Sequence, residues 1–297
     1  MNKLSQLFVA TMMVVIMMGL GACEKAVLDE QQEKKAVAGN VIIRASLYHI
    51  VPFETRAVES VANFSTSLQF VLFQNGTKVK AVTQKKADEN YGEVGLTLTA
   101  GTYQLLVLAH SSTGNPSVTN PEFIQFTNTV GFSDTFYYYG DIEVTGEQTT
   151  YDIRLERATS MVRVIIQDAI PSEVKTIRLF YTGESGVFNA VTGMGGTVNS
   201  QQSIVYDVEG QTAPLTLCAY TFLRDETGSL NMTISARDAN NTVRFEKELA
   251  NIPMRNHMVT EYSGNLFSES GNKSDDVLFS LTAETDWQVY QRVNFGE

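Results

Sequence analysis

Beyond residue 40 the hydrophobic positions recur at every second residue, in short runs bounded by clusters of Gly, Asn, Asp and Ser. That period belongs to β-strands, whose side chains alternate between two faces. "VIIRASLYHI" places Val41, Ile43, Ala45 and Leu47 on one face. "STSLQFVLFQNG" ends on Asn75-Gly76, a two-residue hairpin signal, before "TKVKAVT". "VGLTLTAG" and "TYQLLVLAH" follow, parted at Ala100-Gly101, and then "FYYYGDIEV". "TTYDIRLERATSMVRVIIQD" is long for one strand and reads as two, meeting near Glu156-Arg157-Ala158. The second half repeats this grammar in "VKTIRLFYTG", "QSIVYDVEG", "APLTLCAYTF", "GSLNMTISARD", "NTVRFEKEL" and "HMVTEYSGNLF". Turn signals spaced by roughly 10–15 residues predict an all-β chain of two tandem antiparallel β-sandwich domains. The first covers residues 41–156 and the second 157–297. Arg237, Asp238, Arg244, Glu246 and Lys247 fall on outward positions, where charge blunts an exposed edge. A polar linker, Ser268 to Asp276, precedes a terminal strand pair in "VLFSLTAETDWQVYQRV".

The leader breaks the pattern. Leu7 to Leu20 is an apolar run of 14 residues interrupted by Thr11, with Lys3 ahead of it. A membrane-spanning helix needs roughly 20 such residues, so the run reads as the core of a secretory signal over residues 1–22. Leu20-Gly21-Ala22-Cys23 resembles the bacterial lipobox: a branched residue, two small ones that fit a narrow peptidase cleft, then cysteine. The resemblance implies cleavage after Ala22 and acylation of Cys23. In an ordinary signal peptide Cys23 would be incidental. One acyl chain holds a protein weakly, whereas several make a lasting anchor. Residues 23–40 are polar, charged and poor in aromatics, and read as a solvated tether between lipid and folded body.

Composition narrows the function classes. The chain carries 22 basic and 33 acidic side chains, a net charge of −11, and loss of Lys3 with the leader makes it −12. An acidic body argues against nucleic acid, whose binding rests on Lys and Arg at phosphates. Besides Cys23 only Cys218 occurs, within the apolar "PLTLCAYTF", so the body holds no disulfide. His49, His110 and His257 are far apart and lack metal-ligand spacing. We expect no cofactor and no metal.

Candidate chemistry is sparse. There is no P-loop, dinucleotide fingerprint, nucleophile elbow or HExxH, and no catalytic residue to nominate. "GMGGTV" (Gly193 to Val198) precedes polar "NSQQ" instead of opening a helix, and reads as a loop between strands. The pairs Asp88/Glu89 and Asp275/Asp276 sit in turn-like stretches. Tyr137, Tyr138 and Tyr139 could stack sugar rings, or be ordinary strand aromatics shared between core and rim. Trp287 reads as a packing residue of the terminal strands. Arg56, in a loop-like stretch after the first strand, is a candidate processing site or a plain surface arginine.

Ordered short motifs carry a wider resemblance. "LERATSMVRVIIQDAIPSEVKTIRLFY" resembles the start of the C-terminal domain in the fimbrillin (type V pilin) superfamily, through Arg157-Ala158, Ile170-Pro171 and Ile177 to Tyr181. "NIPMRNHMVTEYSGNLF" resembles its later signature through Asn256, Thr260 and Gly264-Asn265-Leu266. "LTAGTYQLLVLAH" and "FYYYGDIEV" are similar to its glycine-tyrosine and aromatic-glycine strands, although Leu108-Ala109 departs from the aromatic-alanine ending.

The resemblance implies two transthyretin-like sandwiches on a lipidated precursor. Shaft and tip members are cut after an arginine and lose a first strand, and a neighbour's strand refills the groove. Anchor members keep lipid and strand. For this chain it implies a non-enzymatic, membrane-tethered subunit of anchor or accessory type. Its partners would be other fimbrial subunits and, through Cys23, the outer membrane. Arg56 would be cut only in a shaft or tip subunit. The alternative is a surface glycan-binding lipoprotein gripping sugar through Tyr137, Tyr138 and Tyr139.

Overall fold

The computed structural model describes residues 37–49 and 57–268, and the main chain of Val277–Leu278, Ala283–Glu284 and Trp287–Phe295. Period-two runs become strands throughout. The first half holds β1 (Val41–His49), β2 (Ala57–Ser60), β3 (Ser67–Gln74), β4 (Thr77–Lys85), β5 (Glu93–Leu96), β6 (Gly101–His110), β7 (Ser117–Asn120), β8 (Phe123–Gln125), β9 (Thr135–Val144), β10 (Thr149–Arg154) and β11 (Glu156–Arg157). In the second half come β12 (Ser160–Ile166), β13 (Thr176–Ser185), β14 (Val187–Asn189), β15 (Met194–Gly195), β16 (Asn199–Asp207), β17 (Leu215–Thr221), β18 (Thr227–Arg237), β19 (Val243–Arg255), β20 (Met258–Gly264), β21 (Val277–Leu278), β22 (Ala283–Glu284) and β23 (Trp287–Phe295). There is no α-helix among the described residues, and no helix long and apolar enough to cross a membrane.

The strands build two β-sandwiches. In the first, β10-β1-β2, with β5 also on β1, faces β11-β9-β6-β3-β4. Val41, Ile43 and Leu47 of β1 meet Leu68 and Phe70 of β3 and Leu105 of β6 in its core. In the second, β17-β12-β20-β23-β21 faces β16-β13-β18-β19. Val162 and Val164 of β12 pack there with Leu179 and Tyr181 of β13 and Ile234 of β18. Each sandwich is antiparallel except at its last strands: β1–β10, β12–β20 and β20–β23 run parallel.

The two sandwiches share one connectivity. β1, β3, β4, β5, β6, β9 and β10 correspond in order to β12, β13, β16, β17, β18, β19 and β20. The pairs β3–β4, β3–β6, β6–β9, β1–β5 and β1–β10 reappear as β13–β16, β13–β18, β18–β19, β12–β17 and β12–β20. Asn75 and Gly76 form the two-residue β3–β4 turn at φ 51° and 72°, the left-handed geometry that favours Asn-Gly. On β19, an edge strand, Arg244 pairs with Asp238 at 2.7 Å.

A third core joins the halves. Strands β7 and β8 of the first half and β14 and β15 of the second form one small sheet, in the order β15-β14-β8-β7. Beneath it Phe126, Phe132, Phe188 and Phe222 stack with ring centroids 4.9–5.8 Å apart, distances at which aromatic pairs attract beyond simple burial. Val71, Phe73, Leu106 and Leu108 join them from β3 and β6, so these two strands are buried on both faces. Met194 and Gly195 form β15, although the glycine-rich stretch reads as a loop in the sequence. A Cβ on Gly195 would lie 2.6 Å from the Ser185 Cβ and 2.7 Å from the Phe222 carbonyl oxygen. Only glycine lets the backbone approach that closely.

Candidate strand-addition interface

Strand β1 is paired along both edges. On one edge it pairs in parallel with β10, from Val41↔Thr149 to Ser46↔Arg154. On the other it pairs antiparallel with β5 over Val41–Arg44 and with β2 over Ser46–His49. Val41, Ile43, Ala45 and Leu47 point into the core. Burying three such large apolar side chains contributes about 5–9 kcal/mol, an upper estimate. That matches the net stability of a typical domain. Loss of β1 would remove a contribution of that size from this sandwich.

The entry to β1 is clamped by side chain and backbone. Asn40 donates its Nδ2 to the Leu98 carbonyl and accepts the Leu98 N–H at its Oδ1, both at 2.9 Å. Ala38 and Gly39 run hard against β5. A Cβ on Gly95 would stand 2.3 Å from the Ala38 carbonyl oxygen, and one on Gly39 would stand 2.4 Å from that of Leu96. Further along, the Ala45 N–H donates to the Gly92 carbonyl at 2.8 Å, and the Leu155 N–H to that of Ser46 at 2.9 Å.

Beside β1 lies an open cleft of about 920 Å³. Arg44 and Ser46 of β1, Asp152 and Arg154 of β10, Tyr137, Tyr138 and Tyr139 of β9, and Val191 from the second half line it. The tyrosines divide between faces, as a strand requires. Tyr138 packs toward the first core, while Tyr137 and Tyr139 pack toward the third. The Tyr137 ring meets Phe188 at 4.7 Å, nearly edge-on. Burial, and then the nearby Glu156, push its hydroxyl above the usual tyrosine range; burial, Asp141 and Glu122 do the same to Tyr139. Both phenols are neutral at physiological pH. Arg44 is held by Glu93 at 3.3 Å and lies 4.0 Å from Asp152. Two arginines and two carboxylates, Asp152 and Glu156, leave the cleft nearly balanced in charge.

Two edges border this cleft. β10 ends its sheet, and past Tyr137 the edge of β9 has no strand partner among the described residues. At Glu143 the Tyr151 hydroxyl takes that place, accepting from the N–H and donating to the carbonyl. Where the chain passes into the second sandwich, Arg157 fixes its path. Its guanidinium donates twice to Asp134, at 2.9 Å each, and stacks 4.7 Å from the Phe136 centroid, a planar two-point grip that lysine cannot make. At the far end Asp168 holds the exit to the terminal strands, accepting the Leu266, Phe267 and Ser268 N–H groups at 3.0, 2.7 and 2.8 Å. Strand β23 pairs in parallel with β20 of the same chain, and β21 and β22 pair on its other side.

The sequence-predicted residues fall in separate places. Leu20, Gly21, Ala22, Cys23 and Arg56 lie outside the described residues, and Trp287 is described by its main chain alone. Tyr137, Tyr138 and Tyr139 come together with Arg44 and Arg154, an association that no local motif announces. Asn40, Tyr151 and Asp168 escape sequence reading. The available signals are an Asn just before a strand, a Tyr within an alternating strand, and an Asp before Ile-Pro. His110 is fully buried, with neither ring nitrogen hydrogen-bonded. Burial, and then Lys85, lower its pKa to about 4. No group of three or more His, Cys, Asp or Glu stands together as a metal site among the described residues.

Among solved structures, the chain matches proteins from three bacteria. A candidate adhesin from Bacteroides ovatus is 15% identical with a TM-score of 0.43, covering 70% of this chain and 81% of its own. The fimbrial anchor protein Mfa2 from Porphyromonas gingivalis is also 15% identical, with a TM-score of 0.38 over 70% of this chain and 81% of that one. A fimbrial assembly protein from Parabacteroides distasonis is 9% identical, with a TM-score of 0.38 over 75% and 90%. No curated protein matches the sequence. Residues 33–288 match the model of a family of unknown function, DUF6562, and with most of its length inside that match the chain belongs to this family.

Proposed function

We propose that this protein is a non-enzymatic subunit of a fimbrial surface fibre, of anchor or accessory type, held on the outer membrane by lipid on Cys23 and assembling with other subunits by β-strand addition. The observation that carries the reading is the seat of β1. A single N-terminal strand places Val41, Ile43, Ala45 and Leu47 in one core, is paired along both edges, and is followed directly by the segment containing Arg56. In strand addition, main-chain hydrogen bonds supply affinity and alternate side-chain pockets supply register. Cleavage at Arg56 would leave β1 attached by non-covalent contacts alone, free to be exchanged. Without cleavage β1 stays and the subunit terminates or tethers a fibre. The ordered motifs around Arg157-Ala158, Ile170-Pro171 and Gly264-Asn265-Leu266 point the same way.

The N-terminus of the mature protein on cells tests this. A lipidated Cys23, co-purification with fibres, and release of fibres from cells by Cys23→Ala are the expected results. A mature start at Ala57 would make the chain a polymerising subunit instead. Absence of the chain from fibres would end the reading.

A second reading rests on the cleft itself, whose three tyrosines and paired charges suit a neutral glycan. Glycan-array binding abolished by substituting Tyr137, Tyr138 and Tyr139 supports it, and an array without signal removes it.

A further inference from the structure

A strand-adding subunit that keeps β1 has no vacant groove at that position, so a partner's strand needs another edge. The internal duplication points to one. β10 occupies in the first sandwich the place that β20 occupies in the second, each running parallel to the strand that opens its sandwich. β20 carries a further strand on its other edge: β23, parallel, paired from Met258↔Gln288 to Gly264↔Phe295. The same edge of β10 has no strand on it among the described residues, and it borders the tyrosine cleft. We infer that the free edge of β10 accepts an extended strand from a neighbouring fibre subunit, in parallel, as β20 accepts β23. This rests on the strand-addition reading.

The main chain is set up for it. The N–H groups of Thr149 and Leu155 are spent on the Asn40 and Ser46 carbonyls of the β1 side. By strand alternation, Thr150 and Asp152 turn their N–H and carbonyl groups the other way, onto the edge that carries no described strand. Their side chains are exposed on the outer face. An incoming strand therefore places alternate residues beside Thr150 and Asp152. A basic residue opposite Asp152 complements it, and a cross-strand pair of that kind fixes register. Residues along the cleft meet the Tyr138 and Tyr139 rings, which favour apolar or aromatic partners. A sugar would use the rings, whereas a strand uses the rings together with the row of edge amides. Arg44 and Ser46 belong to β1 and form one wall, so the acceptor is complete only in a chain that retains its first strand.

Asp152→Pro tests the idea in the full-length, membrane-bound protein. Proline removes an outward N–H that the β1–β10 ladder does not use, a position where an edge strand tolerates it. Expected are an unchanged melting temperature and membrane retention, with the fibre-associated fraction falling at least tenfold. Wild-type levels of fibre association in the variant would overturn the inference and leave strand addition as such intact. If the wild-type chain itself fails to associate with fibres, the strand-addition reading falls and this inference with it. Should the proline variant misfold, hydrogen exchange on the wild-type chain decides: the Thr150 and Asp152 amides slow at least tenfold in the fibre-bound protein relative to the isolated one. Equal exchange, or slowing produced instead by neutral oligosaccharides, overturns the proposal.

Discussion

The Tyr151 hydroxyl binds both main-chain groups of Glu143, accepting from its N–H at 3.1 Å and donating to its carbonyl. One phenol thus does for the edge of β9 what a neighbouring strand would do, and bridges the two sheets of the first sandwich. The second sandwich has its counterpart in Thr260 of β20, whose hydroxyl donates to the Pro253 carbonyl of β19. Tyr151→Phe removes the bridge and keeps the ring. Each net hydrogen bond is worth about 1 kcal/mol, so the variant should lose about 1–2 kcal/mol. The melting temperature should fall by a few degrees, with faster amide exchange confined to Glu143 and its neighbours.

Acid should weaken the first sandwich through His110. Its pKa is lowered to about 4 by burial first and by Lys85 second, so the folded state holds the ring neutral while the unfolded chain takes a proton near pH 6.5. The neutral ring's advantage is fully present above about pH 6.5 and is lost as pH falls toward 4. At full size it is roughly 3 kcal/mol. Denaturant melts at pH 7.0 and 4.5 should differ by a large part of this beyond the contribution of the carboxylates. In His110→Leu that excess should vanish, with little loss at neutral pH because the ring nitrogens have no hydrogen bonds to give up. An unchanged excess would remove His110 as its source.

The Asp168 carboxylate ties the far end of the chain to the turn after β12. Hydrogen bonds from N–H groups to a charged acceptor are worth about 1.5–3 kcal/mol each, less where solvent reaches them. Asp168→Ala should therefore cost about 2–3 kcal/mol locally. The readout is limited proteolysis: cleavage after Leu266 to Ser268 should accelerate several-fold while the β1 region stays resistant. Asp168→Asn, which keeps one acceptor oxygen, should fall between.

Much of this architecture was legible in the residues, and what was not has a common cause. Alternation located β1, and Asn75-Gly76 marked the β3–β4 hairpin, because local chemistry decides both. Alternation fails at β3 and β6, where Val71, Phe73, Leu106 and Leu108 are buried on the face that a simple sandwich would leave to solvent. The residues that cover them, Phe188 and Phe222, lie more than 75 residues away in sequence. The sheet that joins the halves is built from short strands and the glycine-rich stretch near Gly195, where period and propensity carry no signal. The cleft is hidden for the same reason: Tyr137 to Tyr139 could be noticed as a run, but not that Arg44 and Arg154 stand beside them. Nor does alternation distinguish parallel from antiparallel neighbours, so the duplicated pairing of β1–β10 and β12–β20 emerges only in three dimensions.

The fit of β1 against β5 gives the sharpest test of how firmly the first strand is held. Gly95 has ordinary backbone angles, so Gly95→Ala adds no dihedral strain; what it adds is a methyl 2.3 Å from the Ala38 carbonyl oxygen and 2.9 Å from its carbon. Those are backbone atoms and cannot rotate away, so the entry of β1 must shift, at a cost of about 1–3 kcal/mol. The Asn40–Leu98 clamp lies next to the clash and should loosen with it. Amide exchange across Val41–Arg44 should then accelerate at least tenfold, while the second sandwich keeps its wild-type protection. Gly76→Ala is the matched control. A Cβ there meets nothing within 4 Å, so its cost is the left-handed turn alone, about 1 kcal/mol, with β1 undisturbed. If both variants leave β1 equally protected, the close approach of Ala38 to Gly95 does not hold the strand, and its seat depends on the buried face of Val41, Ile43 and Leu47 alone.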